Sequence, residues 1–195
     1  QYTICHVELA KIALREHRYA DALALLQATD QYPYNLGEGK LINAEENDIW
    51  YYKGLAYRGL GDEENAKLWL HKATQGSAEP QQAFFYNDAQ PDKIFYQGLA
   101  WRALGEEDKA RGRFNKLIKH GEKHLFDHCR IDYFAVSLPD LAIWEDKRNA
   151  IHCNYVMGLG YLGLEDRVHA IEYLDKARAL DINHQGAQIH RELCE

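Results

Sequence analysis

Three 25-residue segments of this chain align without a gap, and that constrains its fold more than any other feature. They run over 50–74, 94–118 and 154–178. Each carries a glycine (Gly54, Gly98, Gly158) and, three residues on, an aromatic ring (Tyr57, Trp101, Tyr161). Nine residues later comes an alanine (Ala66, Ala110, Ala170), and four after that a large apolar residue (Leu70, Phe114, Leu174). The first two copies lie 98 − 54 = 44 apart, and the third follows after 158 − 98 = 60. One more step of 44 backwards reaches Ala10, Ala13, Ala22 and Leu26, a degenerate first copy.

The spacing predicts a pair of helices in each copy. At 100° per residue, Trp50, Gly54, Tyr57 and Gly61 fall on one narrow face. Gly54 and Ala66 let two helices approach closely, while Tyr57 and Leu70 fill the space beside them. The strings LGDEEN (60–65) and LGEEDK (104–109) put glycine at the end of one helix and acidic side chains in the first turn of the next. That order suits both helix termini. Asp48 and Asp92 precede apolar-periodic runs and are expected as N-caps. One hairpin cannot bury its own apolar face, so the copies are expected to stack.

The pattern resembles the tetratricopeptide repeat, whose order is W-x2-L-G-x2-Y…A-x3-F over about 34 residues. The copy with Trp50, Gly54, Tyr57, Ala66 and Leu70 matches most fully. Ile94 and Asn154 replace the tryptophan in the later copies, and none keeps leucine before the glycine. The resemblance implies an all-α fold: tetratricopeptide-like hairpins stacked as an α-solenoid, a right-handed superhelix with long inserts between repeats. It implies one domain over 1–195, with repeats at about 4–30, 48–75, 92–119 and 152–180 and a capping helix at about 183–194.

Charge and composition exclude several classes of function. A net charge of −7 argues against nucleic acid, which needs a basic stripe. No apolar run approaches the 18 residues of a membrane span, and QYTICHVELAKIALREH at the start is charged and helix-like. Cys5, Cys129, Cys153 and Cys194 show no regular spacing and are expected as free thiols, which fits the cytoplasm. The absence of methionine at position 1 predicts a piece of something longer.

Gly37-Glu38-Gly39-Lys40 looks like part of a phosphate-cradling loop. A working loop needs serine or threonine after the lysine and a strand before it; here Leu41 follows and a helix precedes. The stretch 34–48 is expected to be a spacer, like 78–92 before the next copy.

The longest insert, 124–149, carries Ile131, Tyr133, Phe134, Val136, Leu138, Leu141, Ile143 and Trp144, too apolar for a solvated tether. It predicts an additional helix or helix pair, with Ser137-Leu138-Pro139-Asp140 as a start. His120, His124 and His128 recur at helical spacing beside Cys129, a pattern that can gather imidazoles for a metal. Against it, Gly121 is expected to break the helix and no acidic residue is placed to orient the rings. No metal is therefore assigned. Cys153 and His152 are neighbours whose side chains diverge on a helix, so no nucleophile is assigned either.

In a tetratricopeptide hairpin the first helix lines the inner groove. Residues away from the Trp/Gly/Tyr seam are Tyr51, Tyr52 and Arg58, then Phe95, Tyr96 and Arg102, then Tyr155. Aromatic and arginine side chains favour recognition. The alternative is that the inserts cover this face and make it core. The spacers bring a second resemblance. YPYNLGEGKL, FFYNDAQPDKIFYQGLAWRALG, IDYFAVSLPDL and LDINHQGA look like the C-terminal repeat region of large bacterial proteins with a mutarotase-like β-domain of unknown function. The resemblance implies an accessory region of a protein linked to carbohydrate metabolism, with no catalytic residue and no cofactor of its own. The expectation is a non-catalytic scaffold binding a protein or peptide segment, including another domain of its parent. The alternative is a carbohydrate-binding or carbohydrate-processing helical domain using the same groove.

Overall fold

A computed structural model describes residues 1–37, 39–41, 44–81, 90–128 and 141–195, with 141–146 by backbone alone. Among these residues all regular structure is helical. The helices are α1 (Tyr2–Arg15), α2 (Tyr19–Ala28), α3 (Asn47–Gly59), α4 (Glu63–Ala73) and α5 (Pro91–Ala103). They continue as α6 (Glu107–His124), α7 (Leu141–Gly163), α8 (Arg167–Leu180) and α9 (Gln185–Glu192). The chain divides into two compact units, Gln1–Gly76 with Leu99–Glu107 and Ser77–Gly98 with Asp108–Glu195.

The turn inside each hairpin is built the same way four times. His17, Gly61, Gly105 and Glu165 take left-handed backbone angles, φ 58°, 79°, 84° and 64°. Each stands seven residues beyond its copy's anchor at 10, 54, 98 or 158. The next residue's N–H reaches back five residues: Arg18 to Ala13 O (2.8 Å), Asp62 to Tyr57 O (3.0 Å), Glu106 to Trp101 O (2.9 Å) and Asp166 to Tyr161 O (3.0 Å). This is the Schellman arrangement, which satisfies carbonyls left open at a helix end. Two of these residues then cap the following helix. Asp62 accepts from Asn65 N at 3.0 Å and Asp166 from His169 N at 3.2 Å. The side chain of Asn65 also donates to Asp62, and together these bonds hold that carboxyl below its usual range.

The first unit packs α1 on α2, α2 on α3 and α3 on α4. Its core holds Ala10, Ala13, Ala22 and Leu26, then Ala66 and Leu70, all with no exposed surface. A Cβ added at Gly54 would lie 2.6 Å from Leu70 Cγ, so the close approach requires glycine. The C-terminal turns of α5 add Ala100, Ala103 and Leu104 against Leu70, Ala73, Trp50 and Tyr51.

The second unit repeats the contact. A Cβ at Gly98 would lie 2.3 Å from Phe114 Cε1, and one at Gly158 would lie 2.6 Å from Leu174 Cγ. Phe114 also abuts Gly163 of α7, and Ile118 abuts Gly160. α7 packs on α8, and α9 lies against both.

Several expectations need correction. Asp48 and Asp92 lie inside the first turns of α3 and α5 rather than at N-caps. Pro91 begins α5, where its missing N–H costs nothing. Asn47 begins α3 and spends its amide elsewhere, donating to Ala73 O and Gln75 O at 2.8 Å each. Gly121 does not break α6, which runs through it to His124, because the glycine packs against Met157 and the Cys153 carbonyl. Residues 141–149 are the opening turns of α7 rather than a separate helix. The expected helix start at 137–140 lies outside the described residues.

Candidate functional site

In the first unit, four of the residues singled out from the sequence fall on two helices. Tyr52 is buried, whereas Tyr51 is partly buried with its ring 5.2 Å from that of Tyr52. Arg58, in the last turn of α3, donates from Nη2 to Ala103 O at 3.2 Å and lies 3.5 Å from Glu63. It thereby satisfies a carbonyl at the end of α5. Arg102 grips both oxygens of Glu107 at 2.9 Å, a two-pronged pairing. Burial pushes the Tyr51 phenol up to about 12, although Arg102 and Arg58 pull it the other way. Tyr51 is therefore a neutral hydrogen-bonding group at physiological pH, set beside two cations.

In the second unit the other three residues are interior. Phe95, Tyr96 and Tyr155 are 2%, 3% and 6% exposed. They surround His190 of α9, whose ring lies 5.4, 5.8 and 5.8 Å from theirs. Tyr155 Oη is 3.2 Å from His190 Nδ1, and that nitrogen bonds Gly186 O at 2.7 Å. The C-terminal helix thus seals the aromatic faces of α5 and α7 here. Of the seven-residue set, Arg58 and Arg102 keep part of their surface in solvent, and the buried phenol of Tyr51 lies beside them.

Lys40 of the glycine-rich stretch pairs with Glu46 at 2.7 Å, and Gly37 closes a short 3-10 turn at Tyr34–Leu36. In the histidine run, His120 and His124 lie with ring centroids 4.7 Å apart on α6, while His128 is beyond the helix and exposed. Asp127 does engage the run, 2.5 Å from His124 Nδ1. Cys129 lies outside the described residues. No group of three or more His, Cys, Asp or Glu side chains among the described residues is arranged to hold a metal ion. Cys153 turns toward Asn149 at 3.5 Å while His152 faces His120, so the neighbours do diverge.

Sequence reasoning passed over a lysine. Lys53, 1% exposed, lies on α3 next to the hairpin glycine, bonded to Asp30 and 4.5 Å over the Trp69 ring. Lys72 stands over Trp50 and Trp69 at 4.6 and 4.9 Å. The signal was a lysine on the inward face of the helix, in register with Gln97 and Met157, both buried.

Among the described residues no helix is long and apolar enough to cross a membrane. No family model matches this chain, and no solved structure matches it.

Proposed function

We propose that this chain is a non-catalytic binding module of tetratricopeptide-like hairpins that holds a protein or peptide segment, another domain of its parent protein included. The observation that carries this reading is the fourfold recurrence of one hairpin, with the same left-handed turn position and the same buried alanine. Repeated packing of that kind makes a rigid frame and leaves recognition to exposed side chains. Those side chains are Arg58 and Arg102, 35% and 27% exposed, beside Tyr51. With Glu63 and Glu107 paired to them, they form a notch of two arginines whose charge is balanced within the chain, and a partner's carboxylate would compete with those glutamates. Its chemistry suits a segment with carboxylates next to an apolar or aromatic side chain, held by bidentate pairing and stacking. Tyr52, Phe95, Tyr96 and Tyr155 are interior, each within its own unit.

A displayed peptide library screened against the chain tests this. Enriched sequences are expected to pair Asp or Glu with a large apolar residue. Arg58→Ala with Arg102→Ala should weaken a selected peptide roughly 30-fold, about 2 kcal/mol. The melting temperature should change little, because exposed ion pairs contribute about 0–1 kcal/mol each. A library without acidic preference, or an affinity that the double variant leaves intact, overturns the assignment.

A further inference from the structure

The second unit contains a group of imidazoles at the junction of α6, α7 and the segment leading to Gln81. His120 and His152 meet edge to face, ring centroids 6.1 Å apart, and His124 lies 4.7 Å from His120 on the other side. The Nε2 atoms of His120 and His152 are both buried and have no hydrogen-bond partner among the described residues. A neutral imidazole tolerates this, since a bare lone pair is the cheapest polar group to leave unmet. A protonated ring would place an N–H and a positive charge where no described residue offers an acceptor. We propose that His120 and His152 form an acid-sensitive latch, holding the α6–α7 junction closed at neutral pH and loosening it when the rings take up protons.

The surroundings favour the neutral rings. Burial lowers His120, and His124 and Lys123 on the same helix lower it further, with Asp127 opposing. Burial likewise depresses His152, to about 4; His120 and His184 add to this, and the backbone of Gln81 opposes. On α7 the nearest described charges before His152 are Lys147 and Arg148, both exposed and of the wrong sign to help. Glu79, close to Gln81 in sequence, is engaged by Lys116. Two ties lie beside the rings and depend on their fit. Asn149 donates to His124 O at 2.7 Å and Asp127 O at 3.2 Å, closing the end of α6. Gly121 lies under Met157 and the Cys153 carbonyl.

The sign follows from linkage. Both folded-state values lie below that of an unfolded imidazole, so the contribution to stability is full above about pH 6.5 and is lost as pH falls toward about 4. For His152 alone, the opening equilibrium should rise roughly 30-fold between pH 7.5 and pH 5.

Hydrogen exchange of the intact chain, corrected for intrinsic rates, reads this directly. Amides of 116–124 and 147–157 should lose protection by that factor or more at pH 5, while those of α3 and α4 change less. His120→Gln with His152→Gln should flatten the response. A pH response shared equally by the double variant, or protection unchanged at pH 5, overturns the latch. Should the double variant fail to fold, proton resonances of the wild-type rings decide. Titration of His152 near pH 6.5 in the folded protein overturns it; a neutral ring down to the onset of opening supports it.

Discussion

Lys53 and Asp30 form an ion pair that is buried at one end and wet at the other. The ammonium lies 2.7 and 2.9 Å from the two carboxylate oxygens, with the lysine side chain 1% exposed and that of the aspartate 52%. The Trp69 ring covers the lysine. One residue before the hairpin glycine, the same helical position reaches different neighbours in the other copies. Gln97 bonds Ser77 O and Arg113, and Met157 packs on Gly121. In these three copies the position fills one space with three chemistries, joining α3, α5 and α7 to what precedes them, whereas its counterpart in α1, Leu9, is exposed.

Removing only the carboxylate should therefore hurt more than removing the pair's charge altogether. Asp30→Ala strands an ammonium among indole and aliphatic groups and should cost about 2–3 kcal/mol, held below the fully buried range by the exposed end. Lys53→Met, taking the side chain found at 157, should stay within about 1 kcal/mol of the parent. Urea melts of the two variants provide the comparison; equal losses would show that the pair is not buried in the working sense.

Glycines in the same hairpin should respond in opposite directions. Gly98→Ala drives a methyl into Phe114, which has no exposed surface and is also hemmed in by Gly163, so overpacking should cost about 1–3 kcal/mol. Gly112 lies within α6 with nothing within 4 Å of its added Cβ. Gly112→Ala should stabilise by about 0.5–1 kcal/mol through helix propensity. Thermal melts that moved the same way would break the assignment of Gly98 to a close contact.

The turn position offers a third test. Glu165 holds a left-handed conformation, φ 64°, that Gly61 and Gly105 adopt freely in the other copies. Glu165→Gly should gain about 0.5–1 kcal/mol by removing Cβ strain, and Gly61→Ala should lose a similar amount. His17→Gly should gain less, because His17 Nδ1 also bonds Tyr19 Oη at 2.7 Å. Melting temperatures ordered in the reverse sense would contradict the shared turn geometry.

The helical hairpins were legible in the sequence because their determinants are local. A glycine and the large residue sixteen positions on meet within one hairpin, and the Schellman turn is completed within six residues. Such contacts leave a spacing that survives changes of residue type, as His17 and Glu165 show. Which side of each helix remains wet was not legible. Phe95, Tyr96 and Tyr155 carry the composition of a recognition face, yet His190, contributed by a helix 35 residues beyond Tyr155, closes over them. Lys53 is the converse, a charged residue made interior by Asp30 and Trp69. Periodicity states which residues share a face; burial depends on what arrives from elsewhere in the chain, and only the tertiary packing decides that.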